Sequence, residues 1–195
     1  FFLVFSSCPT AVAKNPLSPP PFWYVLYPNQ QPANIKINKI KINIKELNNR
    51  TRCDMKLYVL RHGETNENIT GIMQGNMETV LNETGRKQAL SVRDKVRKAG
   101  IDLVISSPKK RAIETAKLAA PNIQLMLDER LLSRNHGEFE GMQRNQVNLQ
   151  DYWNIKLNKQ FEKAESMGEI FNRVSSLLND ISINYSDKTV LLVTH

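Results

Sequence analysis

Cysteine is scarce in this chain. Only two of its 195 residues are cysteines, Cys8 and Cys53, and both precede residue 55. The remainder therefore has no disulfide framework and no thiolate metal site, as expected for a protein of the reducing cytosol. Long apolar runs are missing too, since the amino-terminal run FFLVF is far too short to span a bilayer. We therefore predict a cytoplasmic location and no membrane partner.

Acidic residues are fewer than basic ones, 19 against 27, which gives a net charge of +8. Such a balance can indicate a nucleic-acid partner, but the excess is unevenly distributed. Residues 1–54 hold seven Lys/Arg and only two acids, so residues 55–195 carry just +3. The lysine-rich stretch NIKINKIKINIK has no interleaved aromatic residues. We therefore expect no nucleic-acid partner, and binding that weakens steeply with salt would indicate the alternative.

Methionine is absent before Met55, where the composition changes abruptly. FFLVF followed by AVA resembles a secretory signal, but the basic region and the initiating methionine of such a signal are missing. A second interpretation is a basic strand, because the isoleucines of IKINKIKINIK alternate. The interpretation we favour is that residues 1–54 are a non-native or disordered segment, translated from upstream sequence. Residues 55–195 then form the domain.

Short apolar segments alternate with helical patterns after Met55. KLYVL (56–60), IDLVIS (101–106) and TVLLV (189–193) are typical of buried strands, and NIQLML (122–127) is a weaker candidate. The helical patterns lie at 83–100, 107–120 and 166–181. Strands that alternate with helices predict an α/β fold, with a mostly parallel sheet covered by helices on both faces.

Local signals predict where these helices begin and end. The pattern at 83–100 predicts one amphipathic helix that terminates at Gly100. Ser107 is the predicted N-cap of the second helix, with Pro108 at its first position and Arg111 in its first turn. The third helix opens with a capping box that starts at Ser166.

Cationic side chains follow each of the clear strands. Arg61 and His62 end the first strand, Arg111 comes shortly after the second, and His195 follows the third. The carboxyl ends of parallel strands share one edge, where ligands bind. Guanidinium groups match phosphate oxygens bidentately, and the predicted helix start at Ser107 would add backbone amides. This pattern predicts a site for a compact anion such as phosphate.

The same cations predict the chemistry of a histidine among them. Positive surroundings lower a histidine's pKa, so an imidazole stays neutral and nucleophilic near pH 7. Gly63 would allow close approach of the backbone to the ligand. A metal site on His62 and Glu64 is disfavoured, because a strand-to-loop transition has no helical face to hold the ion. His136 lies in a polar stretch and is expected to be solvated.

Four stretches together resemble the histidine phosphatase superfamily. They are LYVLRHGETNEN with GIMQGNMETVLNETGRKQA, then ISSPKKRAIETA, HGEFEG and TVLLVTH. The resemblance extends over residues 55–195. The sequence is similar to the branch that contains the cofactor-dependent phosphoglycerate mutases and related small phosphatases. This similarity implies a phosphoglycerate mutase-like fold.

The resemblance also implies roles for individual residues. His62 would attack phosphorus and become a phosphohistidine that water hydrolyses, while Arg61, Arg111 and His195 hold the phosphoryl oxygens. No metal or cofactor is required. The substrate-binding residues it implies are Arg61, His62, Gly63, Glu64, Thr65, Asn68, Gln74, Gly75 and Arg111. The GIMQG loop resembles the phosphatases more than the mutases, so Gln74 and Gly75 would shape the substrate entrance.

The chain departs from the family pattern at two points. Family members commonly have a glutamate at the position of Ser133, and it protonates the leaving oxygen. Serine is a poor general acid at neutral pH, so either Glu138 or Glu140 substitutes or the acid is absent, which matters less for substrates with good leaving groups. Glu138 is our candidate catalytic acid. The chain also stops at His195, where family members continue. We therefore expect a fragment that is incomplete at its carboxyl-terminal end.

The leading functional prediction is a phosphomonoester hydrolase that acts on a small phosphorylated metabolite. One alternative is a cofactor-dependent phosphoglycerate mutase, which 2,3-bisphosphoglycerate would stimulate. Another is a catalytically dead phosphate-binding homologue, suggested by Ser133 and the missing carboxyl-terminal segment. The oligomeric state is left open by the sequence.

Overall fold

The computed structural model describes residues 2–6, 39–41 and 55–195. Its strands are β1 (Phe2–Ser6), β2 (Lys39–Lys41), β3 (Lys56–Arg61), β4 (Leu103–Ser106), β5 (Leu125–Leu127) and β6 (Thr189–Thr194). Its helices are α1 (Asn66–Thr70), α2 (Glu83–Ser91), α3 (Arg93–Ala99), α4 (Lys110–Ala119), α5 (Leu149–Tyr152) and α6 (Met167–Asn184). Short 3-10 turns lie at Glu129–Leu131, Gly137–Phe139 and Arg144–Gln146.

The strands form one sheet in the order β2-β1-β3-β6-β4-β5. β3, β6, β4 and β5 run parallel, and β1 pairs antiparallel with β3. The central strand β6 is bonded on both sides, with Leu60 opposite Val193 and Ser106 opposite the same residue. The parallel strands thus bring the ends of β3, β6 and β4 to a common edge.

Alternate residues of the central strand face opposite sides of the sheet. Leu191 and Val193 pack with α3 and α4 through Val96 and Ala112. Val190 and Leu192 belong to a second cluster, which contains Leu177 and Ile181 of α6. Both faces of β6 are apolar because helices cover both, as a parallel sheet requires.

The predicted α/β class with a mostly parallel sheet is confirmed. The capping box that opens α6 is present, since the Ser166 hydroxyl accepts from the Glu169 amide and the Glu169 carboxylate accepts from the Ser166 amide. Gly100 ends α3 in the left-handed conformation, with φ of 65°. The single helix predicted over 83–100 is wrong, however: it is broken at Val92, which caps α2 and begins α3.

The predicted start of α4 is also wrong. The helix begins at Lys110, and Lys109 is its N-cap without a side-chain cap bond. The Ser107 hydroxyl lies 2.8 Å from Nε2 of His195 and accepts from the Lys109 amide at 3.4 Å. The hydroxyl that the local pattern assigned to a cap therefore bonds both a nearby amide and a distant histidine. Arg111 remains in the first turn of the helix.

Within residues 1–54, the structure describes only the backbone strands β1 and β2. β2 falls inside the stretch interpreted as a basic strand, and it lies at the edge of the sheet. The proposed cleavage-like AVA sequence lies outside the described residues. The assignment of 1–54 as a non-native or disordered segment separate from the domain stays a prediction.

Candidate active site

The ends of β3 and β6 carry the two histidines of the site. Thr194 accepts a backbone hydrogen bond from the His62 amide at 2.9 Å, and this contact sets His62 beside His195. The two imidazole centroids are 5.1 Å apart, with the rings tilted 62° from one another. The Ser107 amide also donates to Val193, which joins the end of β4 to this edge. The predicted convergence of these strand ends on one site is what the structure shows.

His62 is buried and has one ring nitrogen committed. Nδ1 lies 2.7 Å from the Gly63 carbonyl oxygen, which can only accept, so Nδ1 carries the proton. Burial lowers the pKa of His62 to about 3, and the neighbouring charges of Arg61 and Arg111 act in the same direction. The imidazole is therefore neutral near pH 7, and Nε2 has a free lone pair. This nitrogen is suited to nucleophilic attack.

Arg111 is the most deeply buried cation of the site, with 1% of its surface exposed. Its Nη1 donates to the Met77 carbonyl and the Thr79 hydroxyl, and its Nη2 donates to the Gly75 carbonyl at 2.9 Å. Nε donates to His195, so one of the five guanidinium N–H groups remains for a ligand. Burial lowers the pKa of Arg111, yet an arginine stays protonated. A buried cation bonded to neutral groups favours an anionic ligand.

His195 is held in a defined tautomer by two contacts. Nδ1 accepts from Nε of Arg111 at 3.2 Å, so the proton is on Nε2, which donates to the Ser107 hydroxyl at 2.8 Å. Burial lowers the pKa of His195 to about 2, and Arg111 and His62 are the next causes. The ring is therefore neutral while the pocket holds no anion, and a bound phosphate would favour its protonation.

Arg61 is the last residue of β3, directly before His62, and it is exposed. Its charge contributes to the lowered pKa values of both histidines, so it lies within electrostatic reach of them. Two guanidinium groups and two imidazoles thus share one small volume. Such a group of donors can surround the oxygens of a phosphoryl group and stabilise the charge that develops on them.

Gly63 allows a close backbone contact within the chain, and its predicted approach to a ligand stays a prediction. A Cβ at Gly63 would overlap the carbonyl of Gly85, coming within 2.9 Å of its carbon. A Cβ at Gly85 would come within 2.7 Å of the Glu64 amide nitrogen. The two glycines therefore let the loop after β3 press against the start of α2. The Gly63 amide also donates to the Thr115 hydroxyl at 3.0 Å, which fixes the loop to α4.

The loop with Gln74 and Gly75 borders the anion site through its backbone. Gly75 adopts a left-handed conformation, with φ of 47°, and its carbonyl accepts from Arg111. Gln74 is buried, and its side-chain oxygen Oε1 accepts from the Thr79 hydroxyl at 2.7 Å. The Glu140 carboxylate accepts from the amide of Asn76 at 2.8 Å. Gln74 therefore stabilises the loop from inside.

The residues after Gly63 bond among themselves and to α2. Glu64 accepts from the Asn82 side chain at 3.0 Å, and this contact directs its carboxylate towards the start of α2. Thr65 is fully buried and caps α1, where the Asn68 side-chain oxygen accepts from the Thr65 amide at 3.1 Å. The predicted substrate contacts of Glu64, Thr65 and Asn68 stay predictions.

The candidates for the catalytic acid are separated in space. Glu138 is exposed in a 3-10 turn, and its amide donates to the Glu162 carbonyl at 3.4 Å. Glu140 bonds the loop that holds Arg111, as described above. Ser133 is half-buried and lines a cavity of about 610 Å³ together with Asn76. Glu140 therefore contacts the loop of the anion site, whereas Glu138 does not bond to that loop. Glu138 as the catalytic acid stays a prediction.

His136 was expected to be solvated, and this prediction is wrong. The residue is 6% exposed, and its Nδ1 lies 2.6 Å from the hydroxyl of Tyr152. Burial lowers the pKa of His136 to about 4, and the charges of Arg134 and Arg144 add to the effect. Tyr152 covers the ring, and it is sixteen residues away across an irregular stretch. No local periodicity reports such a contact.

A metal site and a membrane-spanning helix were both sought in the part of the chain that the structure describes, and neither is present there. No group of three or more His, Cys, Asp or Glu residues could hold a metal ion there. Among the same residues, no helix is long and apolar enough to cross a membrane.

A neutral imidazole beside a second imidazole and a buried guanidinium is an arrangement suited to phosphoryl transfer. The family model of the histidine phosphatase superfamily (branch 1) matches residues 57–195. The chain belongs to this superfamily, and it is an enzyme of the phosphatase type. The resemblance drawn from the sequence motifs is thereby confirmed.

Relatives with assigned names include both phosphatases and mutases. The chain is 31% identical to phosphoserine phosphatase 1 of Hydrogenobacter thermophilus over 150 residues, which are 72% of this chain and 71% of the relative. It is 31% identical to the probable phosphoglycerate mutase GpmB of Proteus mirabilis over 149 residues, 72% and 69% of the two chains. Among solved structures, phosphoserine phosphatase from Entamoeba histolytica in complex with 3-phosphoglyceric acid matches with a TM-score of 0.65. That match has 28% identity and covers 72% of this chain and 74% of the other.

Proposed function

We propose that this phosphatase hydrolyses a small phosphorylated metabolite in two steps, through a phosphohistidine on Nε2 of His62. The observation that carries the proposal is the pair of tautomers. Nδ1 of His62 donates to Gly63, which leaves Nε2 as the nucleophile, and His195 is held beside it.

In the first step, Nε2 of His62 attacks phosphorus, the P–N bond forms and the ester P–O bond breaks. The leaving oxygen takes the bonding electron pair and departs as an alkoxide, which takes its proton from water. In the second step, water attacks phosphorus, the P–N bond breaks, and inorganic phosphate is released. Arg61 and the remaining N–H of Arg111 donate to the phosphoryl oxygens in both steps and stabilise the charge that builds up on them. His195 joins them once a bound phosphate favours its protonation, because Nδ1 then carries a proton of its own.

The proton on the leaving oxygen has no carboxylic acid at position 133 to supply it. We infer that turnover depends on how readily the alkoxide departs, so substrates with acidic leaving alcohols react faster. The cytoplasmic location and the absence of nucleic-acid and membrane partners stay predictions. The oligomeric state is left open.

The test is phosphate release from a panel of phosphomonoesters at neutral pH, with His62→Ala as the control. We expect release that the substitution abolishes. Release that persists at the unmodified rate in the variant would contradict the proposal. Stimulation of an isomerase activity by 2,3-bisphosphoglycerate would instead favour the mutase alternative. The similarity of the chain to the probable mutase GpmB supports that alternative. Phosphate binding without any release would favour the non-catalytic one.

A further inference from the structure

Two cations of α4 hold the loop that borders the anion site. Arg111 donates to the backbone carbonyls on both sides of Asn76. Lys109, the N-cap residue of α4, donates from Nζ to the Asn76 carbonyl and to the Glu78 carboxylate, the latter at 2.8 Å. Each of the four successive residues 75–78 therefore places an acceptor on one of the two cations.

The Glu78 carboxylate lies at the N-terminus of α4. The N-cap residue Lys109 makes no side-chain cap bond of its own. Oε1 of Glu78 accepts from the Lys109 ammonium, and Oε2 accepts from the Lys110 backbone amide at 3.5 Å. The positive end of the helix dipole favours a carboxylate at this position. The hydrogen bond from Lys109 keeps the pKa of Glu78 below its usual range, so the carboxylate is charged at neutral pH.

The same carboxylate lies within electrostatic reach of the anion site. Arg111 donates to the Met77 carbonyl and to the Thr79 hydroxyl, and these residues are the two sequence neighbours of Glu78. Burial lowers the pKa of Arg111, and Glu78 is the neighbouring charge that opposes this shift most strongly. A negative charge that acts on the guanidinium also acts on an anion bound to it, and it repels that anion.

Lys109 offsets this repulsion. Its side chain is 14% exposed, whereas that of Glu78 is 50% exposed, so the ammonium is the more buried partner of the pair. A charge that is partly buried is screened by salt less than an exposed one. The two charges together are neutral, and an incoming phosphate therefore meets the charge of Arg111 with little opposition from Glu78.

Building on the proposed function, we propose that Lys109 and Glu78 form a charge pair that sets the affinity of the anion site for phosphate. Glu78 opposes the anion, and Lys109 neutralises Glu78. The group that the pair acts on is the phosphoryl group shared by every phosphomonoester and by the product, inorganic phosphate. Neither side chain takes part in the bond changes at phosphorus.

The test is the dissociation constant of inorganic phosphate at neutral pH, measured by calorimetry on the full chain and its variants. Lys109→Met keeps the length of the side chain without its charge, and we expect phosphate to bind about two- to fivefold more weakly. Glu78→Gln keeps the shape without the charge, and we expect binding to tighten by a similar factor. In the double variant both charges are gone, so the constant should return to within about twofold of the unmodified value.

An exposed ion pair on α3, formed by Asp94 and Arg97, provides the matched controls. Asp94→Asn and Arg97→Met change the net charge by the same amounts as the two test substitutions. Helix α3 leads into the start of β4, at the opposite edge of the sheet from the site. We therefore expect both controls to leave the constant within about twofold of the unmodified value.

The two test substitutions must shift the constant in opposite directions. Opposite shifts that shrink in high salt support the proposal. Weaker binding in both variants overturns it, because that result indicates damage to the loop, and so does an unchanged constant in both. If Lys109→Met does not fold, Glu78→Gln decides alone, because structural damage does not tighten binding.

The calorimetric measurement also separates this proposal from the proposed function, since phosphate binding requires no turnover. An unmodified chain that binds phosphate but releases none from phosphomonoesters would overturn the proposed function and leave the charge pair to be decided by the same constants. An unmodified chain that binds no phosphate would overturn both.

Discussion

Arg111 donates a hydrogen bond from Nε to Nδ1 of His195, across 3.2 Å and 84 residues of sequence. The contact joins the start of α4 to the end of β6, and it fixes both the guanidinium plane and the imidazole tautomer. Its Nη1 and Nη2 groups donate to the Met77 and Gly75 carbonyls and to the Thr79 hydroxyl, all in the loop around Gly75. A single side chain thus organises three separate segments around the anion site.

Arg111→Lys tests this organising role. A lysine presents its donors from one nitrogen and cannot satisfy His195, Gly75 and a phosphate together. We expect kcat/KM to fall by about 10²-fold or more, the usual cost of losing a transition-state donor. Arg86→Lys is the matched control, because Arg86 pairs with Glu114 at the surface and should change the rate by less than about twofold. Equal rates in the two variants would show that the guanidinium fork is dispensable.

Acid sensitivity follows from the three buried histidines. Their pKa values are lowered from 6.5 to about 3 for His62, about 4 for His136 and about 2 for His195. As the pH falls, the histidines of the unfolded chain bind protons at a higher pH than those of the folded chain. Their contribution to folding stability is therefore complete above pH 6.5 and is lost as the pH falls below it. At pH 5 each histidine costs about 2 kcal/mol, or about 6 kcal/mol together. Urea unfolding at pH 7.5 and pH 5 measures the difference.

The choice of pH 5 isolates the histidines in that experiment. The carboxylates with lowered pKa, Glu78, Asp128 and Glu169, lose their contribution only as the pH falls below about 4.5. The paired substitution of His136 and Tyr152 by Phe should reduce the loss by about a third. Equal stability of the unmodified chain at both pH values would mean that the imidazoles titrate normally.

Gly63→Ala tests the contact between the loop after β3 and the start of α2. The added methyl would meet the backbone of Gly85, which cannot rotate away, so we expect a destabilisation of about 2–3 kcal/mol. Gly100→Ala is the comparison, because nothing lies within 4 Å of its Cβ position and only its φ of 65° opposes the change. That strain costs about 1 kcal/mol. Thermal unfolding that ranks Gly100→Ala as the more damaging change would refute the crowding argument.

Ser133→Glu is predicted to be a gain of function. A carboxylic acid at this position would protonate the leaving oxygen, a contribution of about 10²-fold or more for poor leaving groups. We expect faster hydrolysis of alkyl phosphates, with a much smaller effect on p-nitrophenyl phosphate, whose leaving group needs no proton. Ser133→Gln, of similar size without the acid, is the control. Improvement by both variants would point to a change of shape in the cavity.

The parts of the site that lie on strand ends could be predicted from the sequence. Arg61, His62 and His195 follow short apolar runs, and parallel pairing alone brings such ends together. The contact of the Ser107 hydroxyl with His195 could not be predicted, because the two residues are 88 positions apart in the sequence. The break at Val92 leaves the apolar spacing intact, so periodicity does not report it.

Contacts within irregular segments were missed for a related reason. The pairing of His136 with Tyr152 depends on how a polar stretch folds back over an aromatic cluster, and neither residue lies in a periodic pattern. The contact between Gly63 and Gly85 was also missed, because the motif around Gly63 gives no sign that the backbone of Gly85 approaches it.

The intact mass of the chain after brief mixing with a phosphomonoester and quenching in base, where phosphohistidine survives, decides whether His62 is the nucleophile. We expect one added phosphoryl group that is lost in acid and does not form on His62→Ala. An adduct of the same size on that variant, or turnover by the unmodified chain with no adduct during rapid mixing, would contradict a nucleophilic role for His62.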